Sequence, residues 1–319
     1  MLDILVPLDG SALAERVLPV AATLARATGG RVRLVEAIGL PASDGIVPVM
    51  DEVHAEVSDY LKAVAAQYEL DGRMTAGFGP APILILQEAA VGGVRYIAMS
   101  THARHGIARA VLGSVAEHVL RESPVPVYLL PAAAEARDFT AIRRIVIPLD
   151  GSRLSEAVVE PAGVLALQLG AAVTLVRVYG PPRGRFDGGD GTTRTVDQEV
   201  DRIMFRAERY MAPFVRKLES LGVAANRTAD IGNDPASQIL HLAKRMEADL
   251  IVMATHGRSG LDRLRHGSVT EQVLRHSHIP LLAFGRIPLH DLVPAEARTS
   301  TLERVAGALA VRSQAPAMA

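Results

Sequence analysis

Ile145-Val146-Ile147-Pro148-Leu149-Asp150-Gly151-Ser152 repeats, at a distance of 141 positions, Ile4-Leu5-Val6-Pro7-Leu8-Asp9-Gly10-Ser11. A second pair follows 154 positions apart: Met99-Ser100-Thr101-His102-Ala103 with Gly113-Ser114-Val115, then Met253-Ala254-Thr255-His256-Gly257 with Gly267-Ser268-Val269. Repetition at so long a period means two copies of one domain, because solenoid units are far shorter. An apolar run that ends in Asp-Gly-Ser reads as a buried strand, a tight turn and a helix N-cap.

Composition agrees with two domains. The chain has 319 residues, 49% of them hydrophobic and 4% aromatic, with no Trp. Small aliphatic cores of this kind suit helices packed closely on a sheet. A formal net charge of −1 offers no basic field for nucleic acid or an anionic membrane. With no cysteine there is no disulfide, thiolate metal site or cysteine nucleophile. Met1 to Leu8 reads as a strand rather than a leader, and no apolar run reaches a membrane span of ~18 residues. The expected location is cytoplasmic.

Each half alternates short apolar runs with longer amphipathic stretches, the pattern of a parallel sheet wrapped by helices. In the first half we expect strands at Asp3–Pro7, Arg31–Ala37, Arg73–Phe78, Val94–Met99 and Val125–Leu130, and helices at Leu13–Thr28, Val49–Leu70, Pro82–Val91 and Gly113–Glu122. In the second we expect strands at Arg144–Pro148, Ala172–Val178, Val223–Ala229, Asp249–Met253 and Ile279–Phe284. Its helices are expected at Leu154–Leu169, Thr193–Leu221, Pro235–Met246 and Gly267–His276. Ser11 and Ser152 are candidate N-caps, with Glu15 and Glu156 favoured in the first turn by the helix dipole. The 13-residue difference between the two spacings falls in the Gly- and Pro-rich loop Pro181–Gly191. The expected domains are 1–131 and 142–286, with a tail at 287–319 that holds one amphipathic helix.

In an open parallel sheet, ligands bind beyond the carboxyl ends of the strands. The repeated polar words all fall there. Glycines let backbone amides approach a ligand, and a helix N-terminus offers free N–H groups and partial positive charge. Gly257, Gly267 and Ser268 therefore form a candidate phosphate cradle, and Asp150 a candidate acceptor for a ribose hydroxyl or base amine. No Walker A sequence, Gly-x-Gly-x-x-Gly or Gly-x-Ser-x-Gly elbow is present. His266, His276 and His278 fit no standard metal spacing. We assign no catalytic and no metal-ligating residue.

These words resemble the universal stress proteins of the UspA family, in two tandem copies covering nearly everything before the tail. The resemblance implies an α/β fold of two Rossmann-like domains, similar to the adenine nucleotide alpha hydrolases. Each would be a five-stranded parallel sheet with helices on both faces. The family's ATP-binding subset carries G-x2-G-x9-G-[ST]. The second half keeps all of it but the first glycine, replaced by Ala254; the first half replaces both leading glycines, with Ser100 and Ala103. Where such a position needs positive φ, a Cβ costs roughly 1–2 kcal/mol. The second half is thus expected to bind ATP, ADP or AMP better than the first, with or without Mg²⁺. By the same resemblance Pro148, Val178 and Met253 surround the base, matched by Pro7, Ala37 and Met99. The site set further includes Asp150, His256, Val269, Asp9, His102, Gly113, Ser114 and Val115.

The terminal strands are apolar and lie at sheet edges, where unpaired backbone is a liability. They are expected to pair with each other or with a second chain. The resemblance implies dimerisation through that strand, which a tandem chain accomplishes internally. The functional expectation is a regulatory nucleotide-binding module in stress response. Its alternatives are slow ATP hydrolysis or adenylyl transfer, and a scaffold whose sites are relics.

Overall fold

The computed structural model describes residues 3–39, 48–101, 112–134, 141–182, 186–187, 193–255 and 269–285. The first elements are β1 (Asp3–Leu8), α1 (Ala12–Glu15), α2 (Leu18–Thr28), β2 (Val32–Ile38), α3 (Pro48–Gln67) and β3 (Met74–Phe78). Next come α4 (Ala81–Ala90), β4 (Val94–Ser100), α5 (Ser114–Glu122) and β5 (Val127–Leu130). The order then restarts with β6 (Arg144–Pro148), α6 (Arg153–Ala157), α7 (Val159–Leu169), β7 (Ala172–Tyr179), β8 (Phe186–Asp187), β9 (Thr193–Arg194) and α8 (Val196–Ser220). It closes with β10 (Ala225–Ile231), α9 (Pro235–Arg245), β11 (Leu250–Ala254), α10 (Val269–His276) and β12 (Leu281–Phe284).

Two corrections to the expected helices have one cause. Leu13–Thr28 and Leu154–Leu169 are each two helices, and the first pieces end at Glu15 and Ala157. Four residues on lie Pro19 and Pro161, which have no N–H to donate to those carbonyls. The helix expected from Thr193 begins instead at Val196. Thr195 caps it in a full capping box with Gln198, and Thr193–Arg194 pairs antiparallel with Phe186–Asp187 inside the long loop.

The chain forms two compact units, Met1–Ile142 with Ala248–Ile287, and Arg143–Glu247. Strand order in the first is β11-β12-β5-β4-β1-β2-β3, and in the second β10-β7-β6. Strands β5, β4, β1, β2 and β3 pair parallel in sequence across the sheet. β12 meets β5 antiparallel, with Leu281 opposite Leu129 and Ala283 opposite Val127.

On one face of the first unit, α4 and α5 cover Leu5, Val35, Ile97, Met99, Val127 and Leu129. Alternation along each strand sends Ile4, Val6 and Leu34, all fully buried, to the other face, where α2 and α3 lie along β1 and β2. Each such side chain contributes about 1.5–3 kcal/mol over exposure. A slip of one residue would exchange the two faces, so burial sets the register that delivers Asp9 to the strand end. Among the described residues no helix is long and apolar enough to cross a membrane.

Candidate functional site

The order reverses between β1 and β4: β2 and β3 continue to one side, β5 to the other. Such a switch point opens a crevice beyond the strand ends. Asp9 leaves β1 on one side of it and Ser100-Thr101 leaves β4 on the other. Asp9 Oδ1 accepts from the Ser11 N–H at 3.1 Å and from Ser11 Oγ at 2.6 Å. Ser11 Oγ in turn accepts from the Ala14 N–H at 3.1 Å and caps α1, as expected. Gly10, at φ +74°, supplies the left-handed step that returns the chain over the strand end.

The second copy builds the same turn. Asp150 Oδ1 accepts from the Ser152 N–H at 2.8 Å and from Ser155 Oγ at 2.6 Å, while Ser152 Oγ caps α6 through the Ser155 N–H at 3.1 Å. Gly151 has φ +83°. Partial burial raises the Asp150 pKa, but the donors from Ser152 and Ser155 outweigh it and hold the carboxyl below its ordinary value. Asp150 is thus a charged acceptor at the carboxyl end of β6. Capping and ligand contact are compatible uses of it.

Pro7, Ala37 and Met99, placed around a base by resemblance, lie on one face of their sheet. Alternation groups them with Leu5, Val35 and Ile97, and Pro7 sits opposite Val35 in the β1–β2 ladder. Val115 packs on the same cluster. Pro148 pairs with Val176, which puts Val178 on its face in the same way. Met253 and Ala254 end β11, where the Thr255 N–H donates to the Phe284 carbonyl at 2.7 Å. Thr101 does likewise to Leu130 at 2.8 Å.

Gly113 is the N-cap of α5, in an extended conformation, and Ser114 is the first helical residue. Among the described residues no side chain caps this helix at Gly113, and its first-turn amides can serve another acceptor. In the second copy α10 begins at Val269, and the Thr270 hydroxyl donates to the Ala254 carbonyl at 3.3 Å. Ser100 alternates with Met99, so its hydroxyl turns to the α1–α2 side of the sheet, buried and without a hydrogen-bond partner. Only its backbone borders the crevice. His102, Ala103, His256, Gly257, Gly267 and Ser268 lie outside the described residues, as does the expected tail helix.

The structure adds a layer that the repeated words do not contain. Tyr60 on α3 donates to Glu15 Oε1 at 2.9 Å, and Tyr210 on α8 donates to Glu156 Oε1 at 2.8 Å. Burial first and the carboxylate partner second push both phenols up. Beside each pair lies the strand residue facing the turn, and here the copies differ. It is Glu36 in the first and Arg177 in the second, at the same 141-residue spacing. Glu36 Oε2 is buried and unpartnered, and burial first, then the Asp9 charge, raise its pKa. Arg177 donates through Nη2 to the Asp150 carbonyl at 3.3 Å, with its guanidinium 4.2 Å from the Tyr210 ring centroid and 4.9 Å from that of Tyr179. Aligning the two halves at their 141-residue spacing would have exposed this charge reversal.

A model described as the universal stress protein family matches residues 1–131 and 141–285. A universal stress protein of Methanocaldococcus jannaschii is 30% identical over 142 residues, covering 44% of this chain and 80% of its own. One from Mycobacterium tuberculosis is 27% identical over 212 residues; the match spans 63% of this chain and 62% of that relative. A solved universal stress protein from Archaeoglobus fulgidus has a TM-score of 0.64 at 22% identity, over 89% of this chain and 98% of its own. That last likeness is one of fold: tandem α/β domains of Rossmann-like architecture.

Proposed function

The chain belongs to the universal stress protein family, and within it we propose that this protein is a cytoplasmic adenine-nucleotide-binding module, its second repeat the better binder. The observation that carries the reading is the turn after β1 and β6. In both copies an Asp-Gly-Ser turn with a left-handed glycine sets an acceptor carboxylate at the end of the first strand. In the first copy the turn borders a switch point, and the α5 N-terminus has no side-chain cap among the described residues. Carboxylate and amides of this kind suit the two ends of a nucleotide, an amine or hydroxyl donor at one and phosphate at the other. The ranking of the repeats rests on sequence, since the second keeps Gly257 before Gly267-Ser268 and the first has Ala103. The antiparallel β5–β12 ladder supports pairing of the two copies' last strands within one chain.

The test is to purify the chain gently, denature it, and identify and count any nucleotide released. About one adenine nucleotide per chain, lost in Gly257→Asp, is the expected result. Two per chain would reverse the ranking. None, together with an unchanged melting temperature in saturating ATP, would overturn the reading in favour of a nucleotide-free scaffold.

A further inference from the structure

β3 ends the strand order of the first unit, and among the described residues it pairs only with β2. The direction of its backbone groups follows from the bonds at its two ends. The Leu34 N–H donates to the Arg73 carbonyl at 2.9 Å, and the Gly79 N–H donates to the Ile38 carbonyl at 3.0 Å. In a parallel ladder both groups of one residue point the same way, and the direction alternates along the strand. Thr75 and Gly77 therefore face β2, while Met74, Ala76 and Phe78 turn N–H and C=O to the open edge.

Side chains sort by the same alternation. A Cβ on Gly77 would meet Leu84 of α4 at 3.1 Å, which puts Met74, Ala76 and Phe78 on the opposite, α3 face. There the Phe78 ring stands 6.1 Å from that of His54. Met74 and Phe78 nonetheless stay 41% and 37% exposed. No residue of Met74-Thr75-Ala76-Gly77-Phe78 is charged. The second unit's edge strand, β10, is different. Its end bonds, from the Val173 N–H to the Ala224 carbonyl at 2.9 Å and from the Gly232 N–H to the Tyr179 carbonyl at 2.8 Å, set Arg227 among the outward residues. A charged side chain in that place guards an edge against pairing, and β3 has no such guard.

We propose that β3 is a contact surface for a second copy of this chain, joined antiparallel about a two-fold axis between the two Ala76 residues. In that register the strand is complementary to itself. Ala76 meets Ala76, and Met74 of each copy meets Phe78 of the other. Every outward residue is used, and each opposed pair exchanges both of its N–H···O bonds. The Met–Phe pairs cover the apolar side chains that a single copy leaves exposed. Flanking charges do not meet their like, because the same register sets Arg73 opposite Gly79 and Asp71 opposite Ala81. The symmetric spacing of two large apolar residues about a small one selects a second copy over an unrelated strand. Such a contact closes after two chains and propagates no further. It is separate from the last strands, since β5 and β12 already pair with each other. One short strand makes a small interface, so the association is weak and concentration-dependent.

Sedimentation equilibrium of the full chain, from micromolar to millimolar concentration, tests the contact. The expected result is a reversible monomer–dimer equilibrium with no larger species. Ala76→Pro removes an outward N–H and leaves the bonds to β2 in place. It is expected to weaken the dimer more than about tenfold while the circular dichroism of the wild type is kept. Met74→Lys and Phe78→Glu are each expected to weaken it about tenfold. Combined in one chain they should recover it to within about threefold, because the introduced charges then face each other across the edge. This charge exchange carries the test if Ala76→Pro does not fold. A chain that stays monomeric throughout, assembly beyond a dimer, a dimer indifferent to these single substitutions, or a double variant no better than the singles overturns the proposal.

Discussion

Glu36 occupies in the first repeat the position that Arg177 occupies in the second, each one strand away from the Asp-Gly-Ser turn. The common frame around them means that substitutions at matched positions have unequal effects in the two copies. Alanine at Gly10 and at Gly151 makes that inequality visible, and two further stability measurements probe the buried polar groups of the first unit.

Glu36→Gln is expected to stabilise the protein, and only where the wild-type carboxyl is charged. Burial, with the Asp9 charge second, raises the Glu36 pKa in the folded chain. A raised carboxyl adds stability that is fully present below its unfolded value of 4.5 and is lost as pH rises through the folded value. At neutral pH the folded chain therefore carries an unfavourable charge that glutamine lacks. Discounted for partial exposure, the gain is on the order of 2 °C in melting temperature at neutral pH, fading in acid. Calorimetry across that range checks it; a shift of equal size at every pH would refute the electrostatic account.

Gly10→Ala and Gly151→Ala both place a Cβ in the left-handed region, at φ +74° and +83°. Each should cost about 1–2 kcal/mol by backbone strain alone. Alanine at 151 also meets the Arg177 guanidinium at 2.9 Å, whereas alanine at 10 meets open space. The second substitution should therefore lower the melting temperature further, and Arg177→Ala should recover part of the difference. Equal costs in the two copies, with no recovery, would mean that the guanidinium simply moves aside.

Ser100→Ala should raise stability by about 0.5–1 kcal/mol, because it removes a buried hydroxyl that has no partner. The second copy already carries Ala254 there. Tyr128→Phe tests the same principle in β5, where the phenol is fully buried and unpartnered and burial raises its pKa, with the Asp249 charge second. Chemical denaturation of both variants reads the effect, and destabilisation of either would reveal a hydrogen bond to ordered water.

Most elements of the fold are legible from apolar periodicity, and the serine caps from Asp-Gly-Ser. The failures have particular causes. Both long first helices break because Pro19 and Pro161 cannot serve the carbonyls of Glu15 and Ala157, a signal that was present and outweighed by amphipathic pattern. The late start of α8 reflects a capping box at Thr195–Gln198 that the same stretch of sequence contains. Ser100 was legible as a replacement for glycine, but alternation, not residue type, decides that its hydroxyl faces away from the crevice.

By itself the sequence determined the tandem architecture, the family and the two Asp-Gly-Ser turns. These depend on local periodicity and on short words, both written in consecutive residues. Only the tertiary structure decided what surrounds those words. Tyr60 meets Glu15 across 45 positions and Tyr210 meets Glu156 across 54. Arg177 reaches Asp150 across 27. Parallel pairing brings the neighbouring strand's residue beside the turn, and helix packing brings the tyrosine behind it. Charge at a turn is therefore set by side chains distant in sequence, whose proximity exists only once the sheet has formed.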